Sequence, residues 1–305
     1  MPNAVLLLPD FLLIAVGFVL CRFTALNRPV WEAAERLVYY VLFPVLLFNS
    51  ILKSPLQPAQ TLSLAAAGVA TVGCGIVLAL ALKHWPGVDA RLHASGAQVA
   101  FRFNSFIALA LSERLGGPQA LAWMALMIAL CVPLCNVAAV WPLARHGGHH
   151  YGRELLRNPL ILSTLGGLVA NLAGLQLPEA VGTTLQRIGL AALPVGLMAV
   201  GAGLRLGGLK ASPALAAALL GLRHAALPLI AIGLTSPQAL ALPAAQRVVV
   251  VLFAALPTAS SAYVLAARMG GDGSYVAGLV TVSTLLGMIS VPLWLAVLAA
   301  LTNIS

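Results

Sequence analysis

The sequence predicts an all-α polytopic membrane protein of ten transmembrane helices in two inverted five-helix repeats. Three observations lead there: an apolar composition, a series of apolar runs of membrane-crossing length, and a pattern that recurs in the second half of the chain. Apolar residues make up 61% of the 305 residues and charged residues 8%, whereas soluble domains are about 45–50% apolar and about 25% charged. So little charge does not cover a water-facing surface. Several runs reach the ~20 residues that span ~30 Å of hydrocarbon as a helix. They are continuously apolar rather than alternating, which argues against a membrane β-barrel.

Punctuation and charge place the spans at 4–21, 37–52, 61–82, 95–113, 118–143, 158–175, 184–206, 214–234, 246–267 and 274–301. The first has no basic residue before it and no small-residue cleavage site after it, so it reads as a retained helix rather than a signal peptide. The second and third are parted by Lys53-Ser54-Pro55, and the fourth and fifth by Arg114-Leu115-Gly116-Gly117-Pro118. The longest polar connection runs from Arg145 to Arg157 and holds His146, His149 and His150. These histidines lack a cysteine or carboxylate cluster beside them, and Cys131 and Cys135 at i,i+4 lack further ligands, so neither group predicts a metal. No cofactor is expected.

The net charge of +9 comes from basic residues scattered between spans, which is a topology signal rather than a nucleic-acid surface. Odd-numbered connections carry Arg22, Arg28, Arg36, Lys83, Arg91, Arg145, Arg153, Arg157, Arg205, Lys210 and Arg268; even-numbered ones carry Lys53, Arg114, Arg187 and Arg247. This bias puts the odd connections in the cytoplasm and both termini on the outer side of a bacterial inner membrane.

The halves 1–150 and 151–305 correspond. Pro9, Gly17 and Pro44 meet Pro159, Gly167 and Pro194 at an offset of 150. Arg114-Leu115-Gly116-Gly117 meets Arg268-Met269-Gly270-Gly271 at 154, and Val132-Pro133-Leu134 meets Val291-Pro292-Leu293 at 159. Five helices is an odd number, so the second copy enters the membrane from the opposite side. Such inverted repeats mark secondary transporters, whose sites lie near the midplane between the repeats.

The fourth and ninth spans carry the most polar and helix-breaking residues of any matched pair. At the offset of 154, Asn104 aligns with Thr258 and Phe103 with Pro257. Pro257 removes a backbone donor and breaks the ninth helix. Asn104, Ser105, Thr258, Ala259 and Ser260 surround the matched breaks, where half-helix N-termini favour a carboxylate. Arg102 and Arg223 fall inside spans; each either snorkels to an interface or serves an anion, and Arg102 stands two residues before Asn104. The eight acidic residues map to loops or span ends, which leaves no midplane carboxylate for a cation exchanger.

Three stretches, LVYYVLFPVLL from Leu37, NPLIL…LPVGLMAVGAGLRL from Asn158 and LPTASSAYVLAARMGGD…STLLGMISVPLWL from Leu256, together resemble the auxin efflux carrier family in its bacterial branch. The segment Phe101 to Leu111 resembles that family's fourth-helix motif, Arg-x-Asn followed by a small residue. The resemblance implies crossing, broken helices four and nine, a scaffold of helices one, two, six and seven, a moving part from the remaining helices, and a homodimer through the scaffold. Plant members have proline in both crossing helices; here the fourth carries Phe103 instead. Their long cytoplasmic segment between helices five and six is short here, so only the substrate class, small organic anions such as mono- or dicarboxylates, carries over.

The reading is a carrier of a small organic anion in the lipid bilayer, with a cation-coupled exchanger and a ligand-binding sensor as alternatives. No nucleophile–base–acid set occurs within the spans, so an enzyme is not expected, and His224, a lone histidine, reads as a packing or interfacial residue. If the charge bias sets topology, a cysteine at position 303 but not one at 149 reacts with an impermeant thiol reagent on intact cells; the reverse pattern refutes the orientation.

Overall fold

The computed structural model describes residues 2–53, 58–144, 159–204, 209–259 and 261–303, and every regular element among them is helical. The helices are α1 (Pro2–Phe23), α2 (28–52), α3 (Pro58–Ala81), α4 (90–101), α5 (105–115), α6 (118–144), α7 (Pro159–Leu172), α8 (Glu179–Ala202), α9 (Pro213–Leu234), α10 (Ala244–Ala255), α11 (Ala262–Arg268) and α12 (Gly273–Asn303). Five stretches among the described residues are long and apolar enough to cross a membrane: Leu62–His84, Ala90–Leu143, Glu179–Ala202, Pro213–Leu234 and Gly273–Thr302. The fourth span is delivered in two pieces, α4 and α5, and the ninth in α10 and α11.

Local chemistry explains the punctuation. Gly117 (φ 59°, ψ −153°) takes a backbone conformation that side chains forbid, which parts α5 from α6. At the end of α11, Gly270 has φ +76°, its N–H reaches the Ala267 carbonyl, and the Gly271 N–H reaches Ala266 at 2.8 Å. This is a Schellman closure. Thus each glycine pair follows the second half of a broken span.

Two π-turns precede prolines: Val38–Leu42 before Pro44, and Leu222–Ala226 before Pro228. A proline cannot donate to the carbonyl four residues back and crowds it, and a widened turn relieves both defects. The carbonyl orphaned by Pro228 belongs to His224, and the Trp294 indole N–H donates to it at 2.7 Å.

Sequence expectation and structure differ at α2. The charged stretch before Leu37 reads as a connection, yet it is helical from Arg28, with Pro29 in the first turn. Ion pairing from Arg28 to Glu32 (3.3 Å) and Glu35 (3.0 Å) lets a charged segment join an apolar helix.

α1 packs along α8, and α2 packs against both α7 and α8. The α1–α8 contact is backbone to backbone. A Cβ on Gly17 would lie 1.9 Å from the Met198 carbonyl oxygen, and one on Gly201 would lie 1.8 Å from that of Ile14. Small residues permit this approach where lipid supplies no hydrophobic drive between helices. α3 packs on α6, with Gly68 against Met127, and on α9, with Gly75 against Leu227 and Phe101. The Asp272 N–H donates to Ser95 Oγ at 2.8 Å, so the ninth span ends beside the start of the fourth. The two broken spans therefore run antiparallel through their crossing.

Gly17→Ala or Gly201→Ala should lower stability in detergent by about 1–3 kcal/mol through overpacking. Gly73→Ala meets no atom within 4 Å and should melt within about 0.5 kcal/mol of the parent.

Candidate functional site

The fourth span stops at Phe101 without a proline. Residues 102–104 are non-helical, and the helix restarts because Asn104 caps it: Asn104 Oδ1 accepts from the backbone N–H of Phe106 at 3.0 Å and of Ile107 at 3.2 Å. Asparagine is among the best N-cap residues because a short amide reaches back to these orphan donors. The Asn104 N–H in turn donates to the Pro257 carbonyl at 2.9 Å. The two breaks are thus tied directly, backbone to backbone.

The ninth span opens at Leu256 and resumes at Ala262. Its loose backbone groups are also claimed. Arg223, 1% exposed, donates from Nε to the Leu256 carbonyl and from Nη2 to that of Phe253 at 3.2 Å. A fixed cation here complements the negative end of α10. Ser283 Oγ accepts the Thr258 N–H at 2.9 Å and lies 2.8 Å from His224 Nε2, while His224 Nδ1 lies 2.9 Å from Ser290 Oγ. Phe103 and Phe253 stack across the crossing with centroids 4.5 Å apart.

One side of the crossing faces a cavity of about 590 Å³, bordered by Arg102, Asn104, Ser105, Ala259 and Ser261 and, on the outer wall, by Arg28, Glu32, Glu35, Tyr39 and Tyr263. Arg102 donates to Gln98 Oε1 at 2.8 Å and to Ser261 Oγ at 3.3 Å, both neutral. It makes no ion pair among the described residues. Asn104 is 2% exposed, and its Nδ2 finds no partner among the described residues. Since the N-cap bonds require Oδ1 to face the helix, the free donors of the amide are fixed in orientation.

Of the residues expected at the site, Arg102, Asn104, Ser105 and Ala259 come together on this cavity. Pro257 packs against Gly287. Thr258 is fully buried with Oγ1 unpartnered, and neither it nor Pro257 borders the cavity. Ser260 lies outside the described residues, as do His146, His149 and His150.

Three sequence expectations change. Arg223 does not snorkel; it is interior and braces the break. Asp10 is not at a span end: it lies within α1, is 5% exposed, and pairs with Arg114, whose Nε lies 2.7 Å from Oδ2. Glu32 and Glu35 are not loop residues but border the cavity; their i and i+3 spacing, one face of a helix, was the available signal.

Residues 145–295 match the family model described as membrane transport protein. A relative from Methanothermobacter thermautotrophicus, named an uncharacterized transporter, is 36% identical over 140 residues, which is 46% of this chain and 45% of that protein. The matched segment spans about half the length of that relative. These matches fall on a helical membrane protein with a polar crossing inside it. Through these matches the chain is similar to this family of membrane transport proteins.

Because Arg223, Ser283 and the Asn104–Pro257 bond persist without the proline ring, Pro257→Ala should leave the break open and shift stability by less than about 1 kcal/mol. Arg223→Met should cost about 1–3 kcal/mol for each carbonyl left unpaired. Thermal unfolding of both variants decides it: a loss in Pro257→Ala as large as that in Arg223→Met would show that the ring itself holds the break open.

Proposed function

We propose that the chain is a secondary carrier, not an enzyme, that moves a small organic anion, a mono- or dicarboxylate, by alternating access. The carboxylate docks on the Asn104 amide and the Arg102 guanidinium. One observation carries this reading: a buried, oriented amide with unpartnered donors stands two residues from a cation without a counter-ion, on one cavity. Unpaired donors at membrane depth are costly, and a carboxylate satisfies both groups.

Halves 1–150 and 151–305 form two inverted five-helix repeats in this reading, supported by the antiparallel crossing and the glycine closures. Helices one, two, six and seven, namely α1, α2, α7 and α8, form the scaffold and dimerise. The remainder moves against them like an elevator, with both termini on the outer face of the inner membrane.

A second reading, a proton- or sodium-coupled exchanger, draws on Glu35, whose carboxylate is one-third exposed on the cavity wall beside Arg28. Counterflow in vesicles with and without imposed gradients separates the two.

Asn104→Asp tests the site. Aspartate caps a helix as well as asparagine, so melting should stay within about 1 kcal/mol of the parent. It offers like charge in place of a donor, and a charge-assisted bond of about 1.5–3 kcal/mol lost lowers carboxylate affinity by about 10- to 100-fold. Isothermal titration against a panel of mono- and dicarboxylates measures this. Unchanged affinity would move the site elsewhere.

A further inference from the structure

We propose that Asp10 and Arg114 form an ionic latch that holds the face opposite the cavity mouth closed and opens when the crossing is exposed to that side. The inference rests on the alternating-access reading. Asp10 and Arg114 belong to different parts of the molecule. Asp10 is carried by α1, which is locked to α8 by the backbone contacts at Gly17 and Gly201. Arg114 stands at the far end of α5, whose first residue borders the cavity.

The two ends of the pathway can be placed. The cavity mouth is placed beside the first half of α2, where the lining residues Arg36 and Tyr40 are exposed, and beside Gly203 after the end of α8. From Ser105 in the cavity to Arg114 is nine residues, about 14 Å along a helix, directed away from the mouth. α1 agrees: its last residue, Phe23, lies five residues before Arg28 at the mouth, and Asp10 sits 13 residues, about 20 Å, further back.

The contacts on the two sides differ in strength. At the mouth, Arg28 Nη2 reaches the Tyr263 hydroxyl on α11 at 3.4 Å. On the far side, Arg114 forms an ion pair with the buried carboxylate of Asp10: Nη2 donates to Oδ1 at 3.4 Å, and Nε lies 2.7 Å from Oδ2 without making a hydrogen bond to it. An ion pair with a buried carboxylate is harder to part than a long bond to a neutral hydroxyl, because parting it strands the buried charge. A pair of this type is a two-state element whose rupture biases the whole equilibrium. On α5 the cavity is bordered by Ser105 and Phe106 and by no described residue nearer Arg114, so it stops short of the ion pair. Movement of α5 relative to α1 must part Asp10 from Arg114 before water reaches the crossing from the far side.

The test uses the full chain in right-side-out vesicles with the four native cysteines replaced and Asn136→Cys, on the cavity wall, as reporter. Labelling by an impermeant thiol reagent from the far side is read in the parent, in Asp10→Asn, in Arg114→Gln and in the exchanged pair Asp10→Arg with Arg114→Asp. The latch predicts a rate at least about fivefold higher in each single variant, the low end of a coupling free energy between sites, with return toward the parent in the exchanged pair. Melting temperature verifies that each variant is folded. Equal labelling in the parent and both folded single variants, with carboxylate still slowing the reaction, overturns the latch and leaves the carrier reading standing. If no carboxylate alters labelling in any variant, the binding reading fails and the latch falls with it.

Discussion

A helix broken inside a membrane leaves backbone donors and acceptors that lipid does not satisfy, and this constraint organises the centre of the molecule. Each break is tolerated because named groups replace the missing helical bonds. Asn104 Oδ1 caps the restart of the fourth span, and the Asn104 N–H is taken by Pro257. Arg223 takes the carbonyls at Phe253 and Leu256, and Ser283 takes the Thr258 N–H. Around these bonds the flanking helices are ordered by what they must deliver: α9 brings Arg223 and His224, and α12 brings Ser283, Ser290 and Trp294. Asn104 Nδ2 and Thr258 Oγ1, at the crossing, are without partners among the described residues and are therefore conspicuous.

Much of this was legible in the sequence, for definable reasons. Composition and run length require membrane helices because hydrocarbon thickness is fixed. The recurrence of Arg114-Leu115-Gly116-Gly117 as Arg268-Met269-Gly270-Gly271 located both breaks, because glycine closes the helix after each. What stayed hidden depends on contacts between distant segments. Arg223 looks the same in sequence whether it snorkels or braces a carbonyl 33 residues away. Asp10 looks like a span end because its partner lies 104 residues on. Arg28, Glu32 and Glu35 look like a loop because charge density is the usual mark of one, although their spacing suits a helix. The proline expected in the fourth span is replaced by a capping side chain, a substitution of mechanism that pattern matching on proline overlooks.

Charge is distributed according to depth. Arg28 is matched by two glutamates where solvent reaches them. Arg223, with no carboxylate beside it, leans on carbonyl dipoles at a helix end. Arg102 lies between these cases, bonded only to a glutamine and a serine. Its charge borders the cavity and has no ion-pair partner among the described residues.

The widened turn at Leu222–Ala226 has an evolutionary corollary. A π-turn is one residue longer than the α-turn it replaces, and here it makes room for Pro228. Excising one residue there would press the shortened turn against Pro228 and rotate everything before it by about 100°, turning the guanidinium away from Leu256. Substitutions along α9 are graded in their effects, but its length is not. A lineage carrying this crossing can vary the apolar surface of that helix freely and still be unable to shorten it by one.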